Sequence, residues 1–248
     1  MASWSCGDGL NYSVRQSEIR LFVLIVGSEV LASPDSKTRK NSRCLRLVSG
    51  CICRIMNKDK ALIEAKWDAI YEKNVFSQPA DVLVENSFLL PKKGCSLDLA
   101  SGLGANALFL AKKGLDVHAW DISSVALNRL KQNAQQKKLR VSVKQVLIQP
   151  KTMPKNTFDV IVLSRFLDRS LCNAIMESLK PDGLLFYQTY VREKIASNGP
   201  RNPEFLLARN ELLQLFKALK LVVYRENSLI GCLQRGERNE ALFVGQKC

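Results

Sequence analysis

The chain has a single histidine in 248 residues, no internal repeat, and no apolar run near the roughly 20 residues a membrane-spanning helix needs. Membrane insertion is therefore not expected. One histidine, His118, cannot make a histidine cluster. Cys51 and Cys53 are separated by one residue, and no second cysteine pair completes a zinc set, so no metal is expected. No serine or cysteine nucleophile stands in a recognisable triad. Aromatic residues, at 7%, are sparse and are not interleaved with basic ones in the manner of a single-strand binding groove.

Acidic residues are also in short supply: 23 Asp and Glu against 37 Lys and Arg leave a formal net charge of +14. A nucleic-acid or acidic partner would use such an excess through long-range attraction. The basic residues are scattered, however, with only short clusters such as Lys137, Lys138 and Arg140. A soluble enzyme with many solvated cations is the preferred reading, and nucleic acid the weaker one. Eight cysteines would suit a small secreted disulfide scaffold, but the chain is neither small nor otherwise secretory. Reduced thiols in a cytoplasmic protein are the expectation, with a monomer favoured.

Residues 1–55 differ from the remainder. They are rich in Ser, Cys and Arg, contain Cys6, Cys44, Cys51 and Cys53, and lack sustained periodicity. Leu21 to Val26 is apolar and is followed by Val30-Leu31-Ala32-Ser33, like a secretory signal, but it is short and closely flanked by Glu18 and Glu29. Met56 stands just before a strongly amphipathic segment and would make a natural start. Residues 1–55 are accordingly read as a poorly ordered extension before a domain spanning 56–248.

From Met56 the pattern becomes regular. Ala61 to Glu72 sets Leu62, Ala65, Ala69 and Ile70 on a helical stripe, with Trp67 and Tyr71 beside it. Ala80 to Phe88 predicts a second helix. Strands are expected at Cys95 to Leu99, Asp116 to Trp120, Val141 to Ile148, Phe158 to Leu163 and Leu184 to Tyr190. Helices fall between them at Ala105 to Lys112, at about Ser124 to Gln136 and at Leu171 to Leu179. Glu204 to Leu219 predicts a last helix, before strands at Leu221 to Arg225 and Ala241 to Val244. Such alternation implies a parallel sheet covered on both faces, closed by an antiparallel hairpin.

The chemistry concentrates in Leu97-Asp98-Leu99-Ala100-Ser101-Gly102-Leu103-Gly104-Ala105-Asn106, where a strand ends, a glycine turn follows and a helix begins. Ligands of such sheets bind beyond the carboxyl ends of the strands. Gly102 and Gly104 let a bound molecule approach the backbone, and the helix beginning near Ala105 offers free amides. Asp98 puts a carboxylate beside the turn, suited to a cationic group held directly or through water. Asp121 ends the next strand, where a carboxylate can accept both hydroxyls of a ribose. These parts match a nucleoside joined to an amino acid. Gly102-x-Gly104-x-x-Ala107 also fits a dinucleotide fingerprint loosely. An acid four positions before the first glycine suits an ammonium better than a pyrophosphate.

Leu97 to Gly104 resembles motif I of class I S-adenosylmethionine-dependent methyltransferases. The stretch from Asn106-Ala107-Leu108-Phe109 through Val117 to Ser123 resembles their bacterial tellurite-resistance-type branch. Trp67-Asp68 with Tyr71, Ser164-Arg165-Phe166-Leu167-Asp168-Arg169, and Lys180-Pro181-Asp182-Gly183 followed by Gln188-Thr189 add to the likeness. The resemblance implies a Rossmann-like α/β fold whose seven-stranded, mostly parallel sheet runs 3-2-1-4-5-7-6 with helices on both faces. It implies S-adenosylmethionine as cofactor, contacted by Asp98, Ala100, Gly102, Gly104, Asp121, Ile122, Ile148, Ser164 and Trp67. Arg165 and Tyr71 are the candidate catalytic residues. Arg165 could hold an anionic acceptor, or form a structural ion pair with Asp168 or Glu226. Where such enzymes often carry an acid after the third strand to receive the adenine amino group, this chain has Leu147, followed by Ile148 and Gln149. A small-molecule acceptor (an oxyanion, a thiol or another soft nucleophile) is expected. An RNA or protein methyltransferase and a non-catalytic cofactor-binding module are the alternatives.

Overall fold

A computed structural model describes residues 2–5, 11–14, 60–73, 78–196 and 199–248. The chain divides into two compact units, Met1–Met56 and Asn57–Cys248. Within the first, Ala2–Ser5 pairs antiparallel with Asn11–Val14, a pairing that the local sequence pattern does not announce. The Cys51–Cys53 pair and the apolar Leu21–Val26 stretch lie outside the described residues.

The second unit holds a seven-stranded sheet. In chain order its strands are β1 (Cys95–Leu99), β2 (Asp116–Asp121), β3 (Val141–Gln145), β4 (Phe158–Ser164), β5 (Leu179–Tyr190), β6 (Lys220–Arg225) and β7 (Glu240–Gln246). The spatial order is β3-β2-β1-β4-β5-β7-β6. The first five are parallel, and β7 runs antiparallel to both β5 and β6. This is the order expected from the sequence. The helices are α1 (60–73), α2 (Asp81–Glu85), α3 (Ala105–Lys112), α4 (Ser124–Gln136), α5 (Cys172–Ser178) and α6 (Glu211–Leu215). Among the described residues no helix is long and apolar enough to cross a membrane.

Strand periodicity sends alternate side chains to opposite faces. Leu97, Leu99, Trp120, Phe158 and Leu163 form one apolar layer with Ile175 of α5 and Phe216. Val117, Ala119, Val160 and Val162 form the other with Ala107 and Leu110 of α3, Leu130 of α4, and Val82 and Leu83 of α2. Burying both faces stiffens the central strands, and their carboxyl ends become a fixed platform.

Three elements are shorter than expected. The helix of Ala80 to Phe88 ends at Glu85 and continues as a 3-10 turn at Ser87–Leu89. The third strand stops at Gln145. The Glu204 to Leu219 helix is instead a 3-10 turn at Pro203–Phe205 and the short α6. The segment between them is extended because Leu207 bonds to the end of β5, accepting from Arg192 N and donating to the Tyr190 carbonyl, each at 2.9 Å. Asn210 then adopts φ 58°, which no right-handed helix accommodates. Tertiary pairing overrides the helical pattern there.

Candidate active site

The chain leaves β1 through a bend in which Ala100, Gly102 and Gly104 all have positive φ, at 55°, 50° and 76°. A Cβ on Gly102 would lie 2.6 Å from the Tyr71 hydroxyl, and one on Gly104 would lie 2.3 Å from a methyl of Leu130. Both positions therefore need glycine for space as well as for backbone angle. Ala100 carries a side chain in the same left-handed region at a cost of about 1 kcal/mol. Gly104 N–H donates to the Ser101 carbonyl at 2.8 Å, closing the turn, and Ser101 N–H anchors it to the Trp120 carbonyl at 3.0 Å.

Asp98 is fully buried. One carboxylate oxygen accepts the Ala107 N–H at 2.9 Å, and the other faces Asn106 Nδ2 at 3.4 Å. Asp98, expected to hold a cationic group directly or through water, also ties down the first turn of α3 through these bonds. Burial pushes its pKa up to about 8 despite the bonds from Ala107 and Asn106, and nearby Asp121 adds to the rise.

Asp121 ends β2 at 5% exposure. Its Oδ2 accepts the Gly102 N–H and its Oδ1 the Ser123 N–H, each at 2.8 Å. Burial raises its pKa, and these backbone amides work against the rise. A carboxylate has about four acceptor positions, so these amides do not exhaust it.

α1 is stapled across this platform. Asp68 accepts from the Ser123 hydroxyl, from the Ser124 hydroxyl at 3.2 Å and from Val125 N at 3.2 Å, at the start of α4. Gln145 Nε2 donates to Glu64 at 2.7 Å and to the Ile122 carbonyl at 3.1 Å. Arg129 donates to the Tyr71 carbonyl. Trp67 stacks on Tyr71 with ring centroids 5.8 Å apart. Burial first, then the charges of Asp121 and Asp98, push the Tyr71 phenol well above its ordinary range. It keeps its proton at neutral pH and is a donor, not a base. Asp68, absent from the expected site residues, is thus what seats Trp67 and Tyr71; its only sequence signal was its place beside Trp67.

The end of β4 carries a second group of polar residues. Ser164 Oγ lies 3.0 Å from Asn106 Nδ2, and Asn106 Oδ1 accepts Ala80 N–H at 2.8 Å. Arg165, at φ 55°, donates its N–H to the Gln188 carbonyl at 2.8 Å. Its Nε lies 2.7 Å from the carboxylate of Glu240, whose side chain is 4% exposed, while that of Arg165 is 55% exposed. The other Glu240 oxygen accepts from Gln188 Nε2 at 2.6 Å, and Gln188 Oε1 accepts the Val82 N–H of α2 at 2.8 Å. Burial works against the Arg165 charge, but the hydrogen bond and charge of Glu240 outweigh it and hold the guanidinium above its ordinary range. The partner is therefore neither of those expected. Asp168 instead accepts from Ser170, and Glu226 accepts from Tyr224 and Asn210. Asn106, Gln188 and Glu240 were not among the expected site residues.

Ile122 is buried, and Ile148 is half-buried against the core. Ile148 lines an open groove of ≈ 550 Å³ with Ile63, Leu147, Gln149, Asp168 and Ser170. No acid stands at Leu147, and the carboxylate lining this groove belongs to Asp168.

Comparison with known proteins agrees with this layout. Residues 97–183 match the family model described as a methyltransferase domain. The chain is 26% identical over 149 residues to the probable S-adenosyl-L-methionine-dependent methyltransferase TehB of Haemophilus influenzae, covering 58% of this chain and 51% of that protein. It thus spans about half the length of the curated relatives it matches. The crystal structure of H. influenzae TehB shares the fold with a TM-score of 0.54 and 23% identity, over 75% of this chain and 67% of that one. A SAM-dependent methyltransferase structure from Methanosarcina mazei does so at 0.53 and 19%, over 68% and 98%. The glycine turn and Asp121 thus fall within a segment similar to methyltransferase domains, and the strand order is that of a fold shared with TehB.

Proposed function

We propose that this domain binds S-adenosylmethionine at the glycine turn and transfers its methyl group to a small acceptor, an oxyanion, a thiol or another soft nucleophile, held at the end of β4. The observation that carries the reading is the Gly102 N–H to Asp121 bond. It sets a buried carboxylate against a side-chain-free bend, at the carboxyl ends of two adjacent parallel strands.

The surrounding residues fit the cofactor's parts. The remaining acceptor capacity of Asp121 suits a ribose hydroxyl. Ser101 Oγ is buried with no hydrogen-bond partner among the described residues, leaving a hydroxyl beside Gly102 for a polar ligand atom. Ile122 and Ile148 offer apolar walls for adenine. Asp98 acts from beneath, positioning α3 and Asn106 through its bonds to Ala107 N–H and Asn106 Nδ2.

When bound, the sulfonium supplies an already activated methyl group, so the chain's task is alignment and exclusion of water. Trp67 and Tyr71, seated by Asp68, cover the turn. Tyr71 holds its proton and positions without acting as a base. Arg165, braced by Glu240, presents a fixed cation to an anionic acceptor at the β4 end. A deprotonated acceptor needs no general base, and none is required from these residues.

The test is incubation of the protein with methyl-labelled S-adenosylmethionine and separated metabolite, RNA and protein fractions. Label is expected in the small-molecule fraction. Label confined to RNA or protein would move the acceptor to that class.

A further inference from the structure

At the ends of β1 and β2 opposite the glycine turn, three side chains of different chemistry meet. Cys95 opens β1 and pairs with Asp116, which opens β2; His118 stands two residues further on, opposite Leu97. Two-residue alternation puts all three on one face of the sheet. The Cys95 Sγ, a carboxylate oxygen of Asp116 and a ring nitrogen of His118 all lie within 4.8 Å of one another. Among the described residues no other three such ligands gather this closely. Asp116 is exposed, and Cys95 and His118 are half-buried, so the cluster is open to solution.

The scaffold beneath is firm. Cys95 N–H donates to Asp159 at 2.7 Å, and the same oxygen accepts from Lys180 Nζ at 2.8 Å. Ser96 Oγ donates to the Asp116 carbonyl at 3.2 Å. The His118 ring meets Phe158 edge-on, with centroids 6.0 Å apart.

We propose that Cys95, Asp116 and His118 form a binding site for a divalent cation of the zinc class, with water as the fourth ligand. Thiolate and imidazole select borderline-soft ions, whereas calcium and magnesium require six or more oxygens, and this cluster offers one carboxylate. Tetrahedral zinc, with Zn–S of about 2.3 Å and Zn–N of about 2.0 Å, sets its ligand atoms about 3.5 Å apart. The cluster reaches that spacing by closing about 1 Å, well within the freedom of an exposed aspartate. Asp159, the other carboxylate beside Cys95, is engaged by Lys180 and is not a ligand.

No contiguous motif announces these three residues, because the parallel register of β1 and β2 brings them together. The site is separate from methyl transfer: along β2, Asp116 and Asp121 are about 16 Å apart at the strand rise. Its effect is to clip β1 to β2, stabilising the folded state by mass action.

The test uses the full reduced chain, stripped with chelator and titrated with Co²⁺ as a spectroscopic probe, then with Zn²⁺ in competition. Stoichiometric cobalt is expected to give a thiolate-to-metal charge-transfer band with tetrahedral d–d intensity, displaced by zinc. Cys95→Ser, nearly isosteric, abolishes the band. His118→Gln weakens cobalt binding at least about tenfold. The double variant Cys51→Ser/Cys53→Ser leaves the band in place, separating this site from the amino-terminal thiols. Zinc should raise Tm in the wild type and not in Cys95→Ser, with circular dichroism confirming that each variant is folded. Absence of the band, its persistence in both Cys95→Ser and His118→Gln, or its loss in the Cys51/Cys53 variant overturns the proposal.

Discussion

The two halves of the sheet's carboxyl edge are built in different ways. At β1 and β2 the chemistry lies within one short stretch, and the key bonds run from backbone amides to a carboxylate: Gly102 and Ser123 to Asp121, and Ala107 to Asp98. At β4, β5 and β7 it is assembled side chain to side chain, from Arg165 just past the end of β4, Gln188 on β5 and Glu240 on β7. The first half depends on backbone conformation, so a substitution there disturbs the fold as well as the ligand. The second can be rewritten residue by residue over an intact core. On the proposed reading, cofactor binding resides in the first and acceptor choice in the second.

The sharpest break of the first half is Gly104→Val. Its Cβ would meet Leu130 at 2.3 Å in a backbone of φ 76°, so both overpacking and left-handed strain apply. Destabilisation of about 2–4 kcal/mol is expected, measured by urea unfolding. A near-neutral result would mean that the turn is not held as described. In the second half, Glu240→Gln should lower kcat/KM for an anionic acceptor about tenfold, through loss of a charge-assisted hydrogen bond, while leaving cofactor affinity unchanged. Equal loss of both would erase the distinction between the halves.

A pH-dependent contrast comes from Asp98→Asn. The folded protein holds this proton up to about pH 8, whereas an ordinary aspartate loses it near 3.8. The group's contribution is therefore full below about pH 4 and is lost as pH rises through about 8. Wild-type Tm should fall relative to that of Asp98→Asn between those limits, because the amide carries no proton to lose. Parallel Tm curves for the two proteins would contradict a neutral, buried Asp98.

The same contrast explains what the sequence made legible. Positive φ and close approach restrict Gly102 and Gly104 to one residue type, and those requirements are visible in the letters themselves. Asp121 was legible because it ends a strand next to that turn. Alternation gave a parallel sheet closed by a hairpin, and the strand order was what the resemblance to class I methyltransferases implied. Glu240 and Gln188 were not legible, because a polar residue inside a strand is silent until register shows its neighbours. Asn106 stood within the motif, but its bonds to Ala80 and Ser164 depend on how α2 and β4 pack. Asp98 was found, but its bonds to the first turn of α3 became visible only in the fold. The 204–219 segment failed for a related reason: its helical pattern yields to a bridge between Leu207 and Val191.

Calorimetric titration of S-adenosylmethionine into the wild type and Asp121→Ala tests the central claim most directly. The account predicts a single binding event in the wild type and a loss of about 1–3 kcal/mol in the variant, from missing hydrogen bonds to a buried carboxylate. No heat with the wild type, or equal affinity in both proteins, would contradict it.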